Sequence, residues 1–148
     1  MTDPVVLLVD DEVAFVETLS KRLKRRNLTI YTAFNGEESL EALQKNDNIE
    51  VVVLDVKMPG LDGVETLKRI KKQTPLVEVI MLTGHATIES AIEGMKQGAL
   101  DYLMKPCDID HLVSTVKEAS QKKRAQEKRI EEAKKQETLA KYGPFHYV

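Results

Sequence analysis

The sequence predicts an α/β fold: a parallel sheet with helices on both faces. Two observations point there. Five short runs rich in apolar and β-branched residues recur along the chain, and between them the apolar spacing turns helical. Several of the runs are apolar at nearly every position, as strands covered on both faces must be, rather than alternating. Strands and helices taking turns at this spacing favour right-handed crossover units over hairpins.

The elements follow in order. Val5-Val6-Leu7-Leu8-Val9 reads as a doubly buried strand. Val13, Val16, Leu19 and Leu23 then share one helical face, with Lys21, Arg22, Arg25 and Arg26 away from it. Residues 28–32 alternate and suit an edge strand. Asn35 and Glu38 have the spacing of a capping box opening a helix over 36–45. Val51-Val52-Val53-Leu54 is the third strand, and Val64, Leu67 and Ile70 mark the next helix. Residues 77–82 form the fourth strand, interrupted only by Glu78. Ile88, Ala91, Ile92 and Met95 give a helix stopped at Gly98, the usual residue past a helix end. Residues 100–104 are a weaker fifth strand, and Ile109, Leu112, Val113 and Val116 open a fifth helix. This pattern does not fix the order of strands in the sheet.

A chain of 148 residues suits one domain with a real core. No apolar run approaches the roughly 20 residues that span a bilayer. The start carries no secretion-signal pattern, and the single Cys107 excludes an internal disulfide and a cysteine-built metal site. A cytoplasmic location without membrane partners is the expectation. Residues 117–141 hold nine Lys/Arg against five Glu, a balance of +4 in a chain of net charge −2, which leaves −6 on the rest. Because the basic residues are interleaved with Glu, nucleic-acid binding is not expected.

In open parallel sheets, ligands bind at the carboxyl ends of the strands. Asp10-Asp11-Glu12 follow the first run, Asp55 the third, Thr83-Gly84 the fourth and Lys105-Pro106 the fifth; the second ends in Ala33-Phe34, with nothing reactive. Each residue alone has an ordinary structural reading: an Asp as a cap, Thr83 as a strand-end hydroxyl, Lys105 as a surface charge. Five such residues at one edge form a set. Asp10, Asp11 and Asp55 held together repel one another unless a cation enters. Magnesium suits them, since it takes oxygen ligands and uses one or two carboxylates with water and phosphate. An aspartate is already ionised at neutral pH, so it can attack phosphorus without a base. Phosphoryl transfer then needs positioning and charge neutralisation, which a metal and Lys105 supply.

Asp10-Asp11, Asp55, Thr83 and Lys105-Pro106, with the run 53–63 around Asp55, resemble the response-regulator receiver family of two-component signal transduction over residues 4 to about 118. Leu82-Thr83-Gly84-His85 and residues 98–106 are most similar to receivers of bacterial enhancer-binding activators. The resemblance implies a flavodoxin-like (βα)5 doubly wound sheet of order 2-1-3-4-5. It implies Asp55 as phosphoacceptor, and Mg2+ held by Asp10, Asp11, Asp55 and the backbone carbonyl of Lys57. Thr83 and Lys105 would contact the phosphoryl group, Tyr102 would be the aromatic switch, and Lys105-Pro106 a cis peptide. Its partners would be a sensor histidine kinase or phosphotransfer protein, and an output partner or an output domain missing from this chain. The family is a signalling switch and not a metabolic enzyme: it catalyses only its own phosphorylation and slow dephosphorylation. The alternative is an aspartate-nucleophile, Mg-dependent phosphatase of the haloacid-dehalogenase kind. That family places Asp-x-Asp after its first strand and needs a cap, for which this chain has no room. A flavodoxin-like redox protein would want a Ser/Thr/Gly-rich phosphate loop where Asp10-Asp11 stand. His85 and Lys57, each two residues past a site residue, are candidates for tuning dephosphorylation.

The chain is expected to divide into a receiver, 1–118, and a charged helical extension with an aromatic end, 119–148. Residues 120–141 contain neither Pro nor Gly, and Glu118-Lys122, Glu131-Lys135 and Glu137-Lys141 pair four apart, so the fifth helix should run on past the domain. A heptad from Leu112 to Ala140 is broken by polar Lys123, Gln126 and Glu137, which disfavours a strong coiled coil. Tyr142, Phe145 and Tyr147 suggest an end that docks on this protein, on a partner, or on a second copy in a homodimer.

Overall fold

The computed structural model describes residues 2–143. Its elements are β1 (Val5–Val9), α1 (Val13–Lys24), β2 (Thr29–Ala33), α2 (Gly36–Lys45), β3 (Val51–Leu54), α3 (Gly63–Gln73), β4 (Glu78–Thr83), α4 (Ile88–Lys96), β5 (Asp101–Met104) and α5 (Ile109–Tyr142). All strand pairs are parallel, in the order β2-β1-β3-β4-β5. The fold is therefore the flavodoxin-like doubly wound one, with β2 and β5 at the edges.

Side chains alternate across a strand, so each strand feeds two cores. Val6, Leu8, Val51, Val53, Ile80 and Leu82 face α1 and α5, where Val16, Leu19, Leu23, Leu112 and Val116 meet them. Leu7, Val9, Val52, Leu54, Val79 and Met81 face the other way, toward Leu43, Leu67 and Ile70 of α2 and α3. That is why the central strands carry no polar alternation.

Asn35 caps α2 as its spacing predicts, its side chain accepting from Glu38 N–H, but the capping box is not closed, because Glu38 Oε2 accepts from Phe34 N–H and not from Asn35 N–H. Gly98 has φ +101°, a left-handed conformation that closes α4. The apolar stripe on α4 behaves differently. Ile88 is 80 % exposed, Ile92 51 % and Met95 48 %, and Gly94 is the buried residue of this helix. The Tyr102 ring lies under Gly94 and fills the space over β4 that a longer side chain of α4 would otherwise take.

Helix α5 runs 34 residues as one helix. Ala119, Ser120 and Lys123 are buried, so packing against the sheet continues to that point. Glu50 anchors it: its Oε1 accepts from Val5 N–H at 3.1 Å, Ser120 Oγ at 3.1 Å and an Arg124 NH2 at 2.9 Å, and its Oε2 from Arg124 Nε at 2.5 Å. Glu78, the polar interruption in the fourth run, pairs with Lys71 at 3.5 Å and Lys122 at 3.4 Å. The helix stops at Gly143, φ +75°. The aromatic end, apart from Tyr142, lies outside the described residues. Among those residues, no helix is long and apolar enough to cross a membrane.

Candidate functional site

The carboxyl ends of β1, β3, β4 and β5 converge. Asp10 and Asp55 are 1 % and 2 % exposed and Thr83 is fully buried, while Asp11 is exposed. Asp10, Asp11 and Asp55 each present a carboxylate oxygen, all within 4.8 Å of one another. Lys105 reaches across to them, with Nζ 2.5 Å from Asp10 Oδ2, 3.7 Å from Glu12 Oε1 and 3.9 Å from Asp55 Oδ2. The Lys105-Pro106 bond is cis. Asp10 Oδ1 is taken by Glu12 N–H, which sets the turn into α1.

Asp55 is the exceptional carboxylate. Its Oδ1 is buried without a hydrogen-bond partner among the described residues. Burial pushes the carboxyl above its ordinary value, and the negative charge of Asp10 adds to this; the Thr83 hydroxyl and the Lys105 ammonium pull the other way. Close packing of backbone puts it there. A Cβ on Gly63 would overlap the carbonyl oxygen of Asp55 and the backbone of Val56, so α3 can start against this loop only with glycine. Asp62 caps the same helix by accepting from Glu65 N–H. An open cleft beside Asp55 is lined by Asp11, Glu12, Lys57, Met58, Pro59 and His85.

The arrangement fits a hard divalent cation: the donor set is all oxygen, and a buried acceptor, Asp55 Oδ1, lacks a partner among the described residues. Asp11→Ala should therefore weaken Mg2+ binding at least tenfold by titration calorimetry, yet leave metal-free stability unchanged or raised, because a repelling charge is gone. A metal-free denaturation curve showing clear destabilisation would contradict this.

Of the residues singled out in the sequence, Asp10, Asp11, Asp55 and Lys105 come together directly. Thr83 sits at their edge, its Oγ1 accepting from His85 N–H at 3.0 Å. Lys57 and His85 line the cleft. Tyr102 is set apart and half-buried, its hydroxyl 2.6 Å from Ser90 Oγ on α4. Ser90, Gly63 as a spacer, and Phe15, whose ring lies 4.0 Å from Lys105 Nζ, are not marked by any sequence pattern. A phenylalanine four residues past an acidic pair carries no signal until the first turn of α1 meets Lys105, the residue after β5.

Fold and site together define a doubly wound α/β module with an acidic, lysine-crossed pocket at one end of its sheet. The response regulator receiver domain model matches residues 6–117, and the chain belongs to that family. The DNA-binding transcriptional regulator NtrC of Escherichia coli K12 is 41% identical over 115 residues, 78% of this chain and 24% of that protein. The transcriptional regulatory protein ZraR of the same strain is 36% identical over 114 residues, 77% of this chain and 26% of that protein. The chain thus spans about a quarter of the curated relatives it matches. A receiver domain protein from Clostridium thermocellum superposes with TM-score 0.79 at 35% identity, covering 83% of this chain and 98% of that one. NtrX from Brucella abortus gives TM-score 0.79 at 30% identity, covering 88% and 29%. Receiver domains are signalling switches of two-component systems.

Proposed function

We propose that this chain is switched by phosphorylation on Asp55, in a reaction assisted by Mg2+ and supplied by a histidine kinase or phosphotransfer protein. The observation that carries this reading is the buried, unpartnered Asp55 Oδ1 beside two further aspartates and an ammonium. In the step, an Asp55 oxygen attacks phosphorus and a new O–P bond forms. The donor's P–N bond breaks, its electron pair returns to the imidazole, and that nitrogen takes a proton from solvent. Asp10, Asp11 and Asp55, with the Lys57 carbonyl, would hold the metal, which supplies charge neutralisation at the phosphoryl oxygens. Lys105 brings a second positive charge, and Thr83 a hydroxyl to donate to a phosphoryl oxygen. The test is incubation with a small phosphodonor and Mg2+, which should place one phosphoryl group per chain; continuous release of phosphate from a generic phosphomonoester would favour the phosphatase alternative. We assign no other enzymatic turnover to the chain.

Output runs through α4, β5 and α5. Ile88, Ile92, Met95 and Met104 are exposed there, a surface suited to an output partner or domain. Thr83 and Tyr102 are the switch pair. Ser90 couples them: its Oγ bonds both Tyr102 and Thr87, the cap of α4, four residues past Thr83. Ser90→Ala should free the ring, shifting Tyr102 resonances of the unphosphorylated protein toward their phosphorylated positions. Unchanged Tyr102 resonances in that variant would remove Ser90 from the switch. We place the receiver body within residues 1–118, extended by the packed turns of α5 as far as Arg124, and the charged extension beyond.

A further inference from the structure

Resting on the reading that Asp55 accepts the phosphoryl group, we propose that Phe15 is a positioning residue for Lys105, its ring holding the ammonium over the site when the carboxylates are otherwise engaged. The ring on α1 lies 4.0 Å from Lys105 Nζ, on an ammonium whose partners are Asp10, Glu12 and, more distantly, Asp55. The Lys105 side chain is 16 % exposed, so its charge is largely out of water. Its strongest partner, Asp10, is also one of the carboxylates that suit a cation. A cation drawing on Asp10 leaves the ammonium with a weaker partner. Lysine is strongly hydrated and carried on a flexible stem, so it would then swing into solvent. An aromatic face offers a partner that competes for neither metal nor phosphoryl oxygen. Only the fraction of molecules with Lys105 held inward can react, and loss of the ring lowers that fraction.

The ring's electrostatics can be separated from its shape. Fluorine withdraws charge from the face of a phenyl ring with little change in size. A series at position 15 with phenylalanine and its mono-, di- and trifluoro forms, in the full chain, should label at Asp55 progressively more slowly at saturating Mg2+. The total drop expected for a partly desolvated cation–π contact is about three- to tenfold. Phe15→Leu should lose at least as much. A second measurement needs no phosphorylation. In the metal-free protein the Lys105 Cε protons should be shifted upfield by the Phe15 ring, and the shift should vanish in Phe15→Leu. A flat fluorine series, even with a slow Phe15→Leu, would reduce Phe15 to packing and overturn the proposal, as would an unshifted Lys105 resonance in the unsubstituted chain. If the unsubstituted chain fails to label at Asp55 while the ring shift is present, the functional reading itself falls, and the positioning role with it.

Discussion

Asp55→Asn is expected to abolish phosphoryl labelling and, without metal, to make the protein more stable. The amide keeps the shape of the carboxylate but is not a nucleophile, so labelling by a phosphodonor should fall to background. The unsubstituted chain should carry one base-labile acyl phosphate. The stability gain follows from charge. Burial and Asp10 raise the Asp55 carboxyl above its ordinary value of 3.8. The folded state therefore holds its proton more tightly than the unfolded chain does. That contribution to stability is full below 3.8 and is lost as pH rises through the higher folded value, leaving an ionised, poorly partnered group at pH 7. Removing the charge should raise stability at pH 7 and leave it unchanged at pH 3. Denaturant titrations at the two pH values, without Mg2+, check this. A variant that still labels stoichiometrically, or is less stable at pH 7 than at pH 3 relative to the unsubstituted chain, would contradict the assignment.

Glu50→Ala should destabilise the chain by about 3 kcal/mol at neutral pH, because Arg124, Ser120 and the Val5 N–H all lose their acceptor at once. Arg124→Ala should cost less, about 2 kcal/mol, because Glu50 keeps the Val5 N–H and the Ser120 hydroxyl as donors. The pH dependence has the opposite sign to that of Asp55. Burial alone would raise the Glu50 carboxyl, but hydrogen bonds from Arg124, Val5 and Ser120 outweigh it and hold the group below 4.5. Its stabilisation is present above 4.5 and is lost as pH falls through the lower folded value. Acid unfolding of Glu50→Gln should accordingly be shallower than that of the unsubstituted chain. A double-mutant cycle with Arg124 should show coupling well above the 0.2–1 kcal/mol, roughly, of exposed pairs. Near-additive losses would mean that the base of α5 is held by packing alone.

Strand and helix periodicity, the Asn35 cap and Gly98 were legible because each depends on neighbours within a turn or two of chain. Asp10, Asp11, Asp55, Thr83 and Lys105 were legible for a different reason: in a parallel sheet, whatever follows each strand is delivered to the same end. The sequence by itself therefore determined the fold class and the composition of the site. Strand order came only through family resemblance, since a doubly buried strand looks the same in sequence whichever neighbour it takes. Tertiary structure decided the rest. It turned the apolar stripe of α4 outward by placing Tyr102 beneath Gly94. It brought Glu50 to Arg124 across 74 residues and Phe15 to Lys105 across 90, and left Asp55 Oδ1 without a partner among the described residues. Those outcomes depend on distance and desolvation between segments remote in the chain, quantities that exist only once the chain is folded.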